Sequence, residues 1–416
     1  MAPTNPSTVE RFLSGIPVPV QPATIERELA ALWKPAGEPT QADAGHAVTR
    51  VCLANLIVLG PADTAAWQQD ALRELTARFP CRVLWCRLDT ASDRAALAAE
   101  VTAFCHLPQP GQPQVCSELI LLATGRGGAG CLPSVALSLL EPDLPAVLWW
   151  ALPAGAETAL FDALCGLADR VIVHWEPLNS PKLRTTHAKP SLQLCLRAPA
   201  LNKATIMVWH TMSHWRELTA QFFDDPQLGG MLPNVKTVTV RYATSAGQPP
   251  ATPPAALYAG WLAGQLRWQL VNRDVTAGGL RATFATPASQ TVEVELSAQP
   301  TEQVAPGRLM AVDIAMNPGH TPTSLHLTRV LGERMEIRQT LRITETRATL
   351  KSLPIVERNE AAVLGAAIES QSAGRVFPRA AKLALELLDA GGRKTSASNG
   401  CHKGDARAQP QGADGV

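Results

Sequence analysis

The chain has 416 residues, 46% of them apolar and 18% charged, and its 37 Lys and Arg against 36 Asp and Glu leave a net charge of +1. At roughly 150 residues per domain this length holds two or three domains, and the near-balance of charge excludes both a general nucleic-acid binder, which carries a basic excess or stripe, and an acidic disordered regulator. The most apolar stretch, residues 51–59, is far short of the ~20 residues a membrane-spanning helix needs. The opening MAPTNPSTVERFLSG lacks a basic segment followed by an apolar one, so no signal peptide is expected and the chain reads as cytoplasmic.

Residues 1–44 read as a Pro-, Ser- and Thr-rich arm followed by a helix over 23–33, where Ile25, Leu29 and Leu32 share a face. From residue 45 apolar runs alternate with amphipathic ones. Strands are predicted over 48–59, 81–88, 118–124, 146–150 and 170–175, and helices over 64–79, 92–104, 132–140 and 157–167. That alternation implies an α/β fold, a Rossmann-like parallel sheet with helices on both faces, spanning 45–195. Beyond it the pattern changes to an α+β domain over 196–390. Helices are predicted over 213–223 and 258–270, and a strand over 236–242. An antiparallel meander follows over 281–285, 291–296, 309–314, 324–330 and 335–343, with period-two alternation in VEVELSA and MEIRQTLRI. Helices near 360–369 and 378–388 close the domain. Residues 391–416 lack apolar periodicity and read as a disordered tail.

Nine cysteines occur without any C-x-x-C pair, most of them inside apolar runs, which points to buried, reduced thiols rather than to zinc. His210 and His214 stand at i and i+4, but the Glu of H-E-x-x-H is missing and no third ligand is evident, so no metal is expected. No G-x-S-x-G and no carboxylate pair of forcing spacing occurs, so no catalytic residue is assigned. The sharpest local motif is the turn at 125–130, where Gly125, Arg126, Gly127, Gly128 and Gly130 follow a strand and precede a helix. Such a turn can cradle a phosphate at helix N-terminal amides, or it can be a plain flexible turn. Glu141 follows the last glycine too soon to be a ribose-binding acid, and the motif follows the third strand rather than the first. No resident cofactor is expected.

Trp149 and Trp150 end the fourth strand. Consecutive strand residues face opposite sides, and strand carboxyl ends border the crevice of doubly wound folds. At least one of the two is therefore expected at that rim, as a contact for a protein partner; the alternative is that flanking helices cover both.

Three segments, CSELILLA with the glycine turn and SLLEPDLPAVLWW, then WRELTAQFFDDP, then YAGWLAGQLRW, resemble the glucose-6-phosphate dehydrogenase assembly protein family (OpcA) in order and spacing. The closing AAVLGAAIESQSAGRVFPRAAKLALELL is similar to the family's last segment, so the resemblance spans roughly 45–390. The sequence departs from the family at Val208, Trp209, His210 and Thr211, where a polar Asp-Leu-Asn-like stretch is usual. The resemblance implies a non-catalytic protein that binds glucose-6-phosphate dehydrogenase, promotes its active oligomer and activates it allosterically in the oxidative pentose phosphate pathway. Position along the chain makes Asp143, Pro145, Trp149, Trp150, Trp215 and Arg216 the candidate partner contacts. The competing reading is an enzyme or sensor that binds a sugar phosphate or nucleotide at the glycine turn.

Overall fold

The computed structural model describes residues 7–36, 48–63, 66–109, 112–153, 157–174, 187–246, 252–276, 278–370 and 373–389. The expected tail, 391–416, lies outside them. In the first half the strands are β1 (Val18–Val20), β2 (Val48–Arg50), β3 (Asn55–Pro61), β4 (Arg82–Asp89), β5 (Ala98–His106), β6 (Gln114–Gly125), β7 (Ala146–Trp150), β8 (Arg170–Val173) and β9 (Ala204–Ile206). The helices among them are α1 (Thr8–Leu13), α2 (Ile25–Ala36), α3 (Ala66–Arg78), α4 (Leu132–Leu139), α5 (Thr158–Leu167) and α6 (Ala188–Cys195).

These strands form one sheet in the order β1-β5-β6-β4-β3-β7-β8-β9, with β2 added beside β6. The parallel strands β6, β4, β3, β7, β8 and β9 run in the order third, second, first, fourth, fifth, sixth, the order of dinucleotide-binding folds. The sheet continues past residue 195, because β9 pairs with β8. Side chains alternate between its faces. Leu56, Val58, Val83, Trp85, Val147 and Trp149 pack with α3 and with Ala361, Val363 and Leu364 from the end of the chain. Ile57, Leu59, Leu84, Cys86, Leu148 and Trp150 form the other core with α4 and α5. Both faces are covered, which is why the central strands read as unbroken apolar runs.

Three expectations are revised here. The run 92–104 is not a helix: Ala98–His106 is strand β5, antiparallel to β6 and to β1. Its alanines suit a helix, but Val101, Thr102, Phe104 and Cys105 suit a strand, and tertiary pairing decides. The thiols are not all reduced either. Cys105 and Cys116 lie directly opposite in the β5–β6 register, with Cα atoms 4.0 Å apart, and form a disulfide. The expected strand over 48–59 divides into β2 and β3.

The second half contributes α7 (Met207–Thr211), α8 (Ser213–Asp224), α9 (Pro226–Gly229), β10 (Val235–Thr244), α10 (Pro253–Gln265), β11 (Gln269–Thr276), β12 (Gly279–Ala285), β13 (Thr291–Pro300), β14 (Leu309–Met316), β15 (Thr323–Val330), β16 (Glu336–Ile343), β17 (Thr346–Pro354), α11 (Glu360–Glu369) and α12 (Ala373–Leu388). The eight strands run β11-β12-β13-β10-β14-β15-β16-β17. Every pairing is antiparallel except β10 with β13. The buried helix α10 lies against α12. A Cβ at Gly260 would stand 2.5 Å from the Ala380 carbonyl oxygen, so glycine is what lets the two backbones touch. Helix α11 returns to the first sheet and packs on α3.

Candidate functional site

The glycine turn is occupied by the chain itself. The Gly125 amide donates to the Arg94 carbonyl (3.1 Å) and the Arg126 amide to the Ser92 carbonyl (2.7 Å). A Cβ at Gly125 would meet the Ser92 oxygen at 2.6 Å, one at Gly127 the Asp93 oxygen at 2.4 Å, and one at Gly128 the Ala95 oxygen at 2.6 Å. The glycines therefore admit the segment 92–95, which fills the seat a phosphate would need. Arg126 donates to the Thr90 carbonyl and lies 3.9 Å from Asp93, both at the surface. Gly130 faces open space. Of the expected phosphate contacts Gly125, Arg126, Gly127, Gly128 and Gly130, the glycines 125, 127 and 128 pack backbone on backbone against 92–95, and the Arg126 side chain is turned to the Thr90 carbonyl.

In this strand order the ligand crevice belongs at the carboxyl ends of β3 and β7, where the order reverses. Here β3 runs into Gly60-Pro61 instead of a glycine-rich loop, and a Cβ at Gly60 would meet Gln68 Oε1 at 2.8 Å. The neighbouring space holds aromatic rings. Trp67, at the start of α3, lies edge-on to Trp149 (6.0 Å between centroids) and to His174 (5.2 Å), and Trp149 stacks on His174 (5.9 Å). On the opposite face Trp150 meets Phe161 edge-on at 5.0 Å. Both tryptophans are fully buried. The expectation that one lies exposed at the rim is corrected: they do face opposite sides, but helices cover both.

The six candidate contacts do not form one surface. Asp143 and Pro145 are exposed, but they precede β7 and sit at the amino end of the strand, away from the carboxyl rim. Trp215 is buried in α8. Arg216 is half-buried, its guanidinium 3.4 Å above the Trp209 ring, and burial pulls its pKa down to about 9. His210 is buried against Thr205 (3.2 Å), and burial, then Arg216, Arg170 and Arg358, lower its pKa to about 3. His214 contacts Arg358 (3.4 Å) and lies 3.9 Å from Glu217. The two histidines share no ligand, and no cluster of three metal-ligating side chains occurs among the described residues.

Two constellations had no signal in the sequence. On β14 and β15, Ser324 Oγ lies 2.8 Å from His326 Nε2, and His326 Nδ1 lies 2.6 Å from Asp313 Oδ1. Arg241 holds the other Asp313 oxygen at 2.7 Å. This is the hydrogen-bond order of a Ser–His–Asp relay. It lies on a sheet face, though, and the strand carrying Ser324 is laddered to β14 on one side and β16 on the other. Backbone amides spent in ladders cannot converge on an oxyanion, the largest single contribution to acyl-transfer catalysis.

The second is a small, partly open pocket between the start of α8 and the strands β15 and β16, lined by His210, His214, Arg308, Arg329, Glu357 and Arg358 among others. Arg329 is buried, donating to the Leu309 carbonyl (3.0 Å) and to Glu357 (2.8 Å). Arg308 is 8% exposed, and its Nη2 is buried without a hydrogen-bond partner.

Two domain families match the chain. Residues 72–187 match the N-terminal domain of the glucose-6-phosphate dehydrogenase subunit family, and residues 203–381 match the C-terminal domain of the same family. The chain is 27% identical over 264 residues to an OxPP cycle protein, OpcA, of Synechocystis, which covers 62% of this chain and 52% of that protein. It is 28% identical over 235 residues to OpcA of Nostoc punctiforme, covering 56% and 48%. The matched regions thus span about half the length of those relatives. Among solved structures, the chain resembles KijD10, a 3-ketoreductase from Actinomadura kijaniata, with TM-score 0.44, 14% identity, and coverage of 80% of this chain and 95% of that one. Biliverdin reductase from Synechocystis sp. PCC 6803 matches with TM-score 0.41 and 12% identity, covering 81% and 97%.

Proposed function

Since the chain belongs to the OpcA family of glucose-6-phosphate dehydrogenase assembly proteins, we propose that it is a non-catalytic partner of glucose-6-phosphate dehydrogenase that favours the enzyme's assembled, active state. The family match over both halves of the chain carries this reading. It is supported by a dinucleotide-type fold whose crevice holds Trp67, Trp149 and His174 and whose glycine turn holds residues 92–95. The Ser324 relay has no converging amides to complete it. The alternative of a nucleotide or sugar-phosphate enzyme at 125–130 loses its seat to the same packing.

Activation by a partner is differential binding. A protein that binds active and inactive forms equally shifts nothing. Turning a mostly inactive population into a mostly active one requires a preference of about 5.5 kcal/mol. Of the six candidate contacts, Asp143 and Pro145 present exposed side chains and are retained as proposed contacts, with Trp149, Trp150 and Trp215 as the buried support of the fold. A cytoplasmic location follows from the proposed pairing. No helix among the described residues is long and apolar enough to cross a membrane. Size-exclusion light scattering of the two purified proteins tests the reading: a co-eluting complex larger than either supports it, and independent elution at every concentration contradicts it.

A further inference from the structure

We propose that the pocket between α8 and the second sheet is a binding site for a phosphate monoester or phosphate ion, held by Arg308, Arg329 and Arg358. The inference stands apart from the partner reading above and uses only the charge balance and burial at this place.

Three guanidinium groups line the pocket, and one carboxylate, Glu357, lines it with them. Glu357 is committed to Arg329 at 2.8 Å. Arg358 turns toward the neutral ring of His214. No side-chain hydrogen bond or ion pair within 4 Å engages Arg308 among the described residues, although it is more than nine-tenths buried. Burial of an unpaired cation is costly, and native proteins pair such groups or bind an ion to them. Burial lowers the pKa of both Arg308 and Arg329; at Arg308 the charge of Arg329 adds to the effect, while Glu357 and Glu360 oppose it. With Glu357 already committed to Arg329, the lining of the pocket carries more guanidinium than carboxylate charge.

The chemistry of the donors selects the ligand. Guanidinium forks present parallel N–H donors that match the oxygens of phosphate. Arg308 comes from the residue before β14, Arg329 from β15 and Arg358 from the segment between β17 and α11. The three donors thus come to one pocket from three separate places in the second half of the chain. His210 and Ser213 add polar edges to the same pocket.

Isothermal titration of the full chain with inorganic phosphate, and separately with glucose 6-phosphate, at matched ionic strength, tests the proposal. Saturable binding of either ligand is expected, weakened at least about tenfold in Arg308→Met and in Arg358→Gln. A tighter response to glucose 6-phosphate identifies an organic monoester as the ligand, and an equal response identifies the phosphoryl group alone. Because Arg308→Met removes an unpaired buried charge, its melting temperature in chloride buffer is expected to equal or exceed that of the parent. Should that variant fail to fold, Arg358→Gln, half-buried at the pocket, decides. No saturable binding of either ligand, or undiminished binding in the folded variants, overturns the assignment.

Discussion

Trp149 and Trp150 are neighbours in β7 and both are fully buried, yet they belong to different cores: Trp149 packs with Trp67 and His174, Trp150 with Phe161. A single dipeptide thus pins helices to both faces of the first sheet. Replacing either with Ala removes a large buried ring and is expected to cost about 3–5 kcal/mol. Chemical denaturation reads this directly. A variant that keeps full stability while losing partner binding would restore a contact role and contradict the burial.

A second anchor lies at the amino ends of the strands. Glu118 and Arg82 are nearly fully buried, 2.8 Å apart, and Arg82 also meets Glu26 of α2 at 2.6 Å. Arg50 and the Trp33 indole complete the shell around Glu118. Glu118→Ala leaves Arg82 its ion pairs with Glu26 and Glu141 (2.9 Å) but strips the buried hydrogen-bond partner from Arg82 and the Trp33 indole, so a loss of about 1–3 kcal/mol is expected. An unfolding midpoint within error of the parent would show that the network contributes nothing.

His210 makes stability depend on pH. Its ring is buried and stays neutral in the folded state down to about pH 3, whereas an unfolded histidine takes up a proton near ~6.5. The unfolded state therefore binds the extra proton first, and stability falls as pH drops from ~6.5 toward 3. By about pH 5 the loss attributable to this group is about 2 kcal/mol. His210→Gln is expected to remove that part of the slope, read from unfolding curves across the range. Parallel pH profiles for parent and variant would contradict it.

The glycine turn makes a prediction that separates packing from ligand binding. Gly127→Ala drives a Cβ into the Asp93 carbonyl and is expected to destabilise by about 1–3 kcal/mol. Arg126→Ala, at the surface, is expected to change stability by no more than about 0.5 kcal/mol. It is also expected to leave phosphate binding unchanged. A loss of phosphate affinity in Arg126→Ala would return the turn to the role of a ligand site.

The parallel sheet was legible because β3, β6 and β7 are buried on both faces and read as continuous apolar runs. The run at 98–106 was not, because alanine-rich sequence satisfies helix and strand alike until β6 and β1 pair with it. Strand β17 carries almost no buried side chain, so no alternation announces it. The glycine turn shows the limit of motif reading: the spacing fits a phosphate cradle, but what fills it is decided by a segment some thirty residues earlier. Arg308, Arg329 and Arg358 share no spacing, and only the pairing of β14 with β15 and the return of the chain after β17 bring them together.

The central claim is tested most directly by assaying glucose-6-phosphate dehydrogenase from the same organism with and without this chain, over a range of glucose 6-phosphate concentrations. The account predicts a higher apparent affinity or turnover that saturates with added chain and accompanies a larger enzyme oligomer. Unchanged kinetics at saturating chain, with the enzyme's size unaltered, would contradict it.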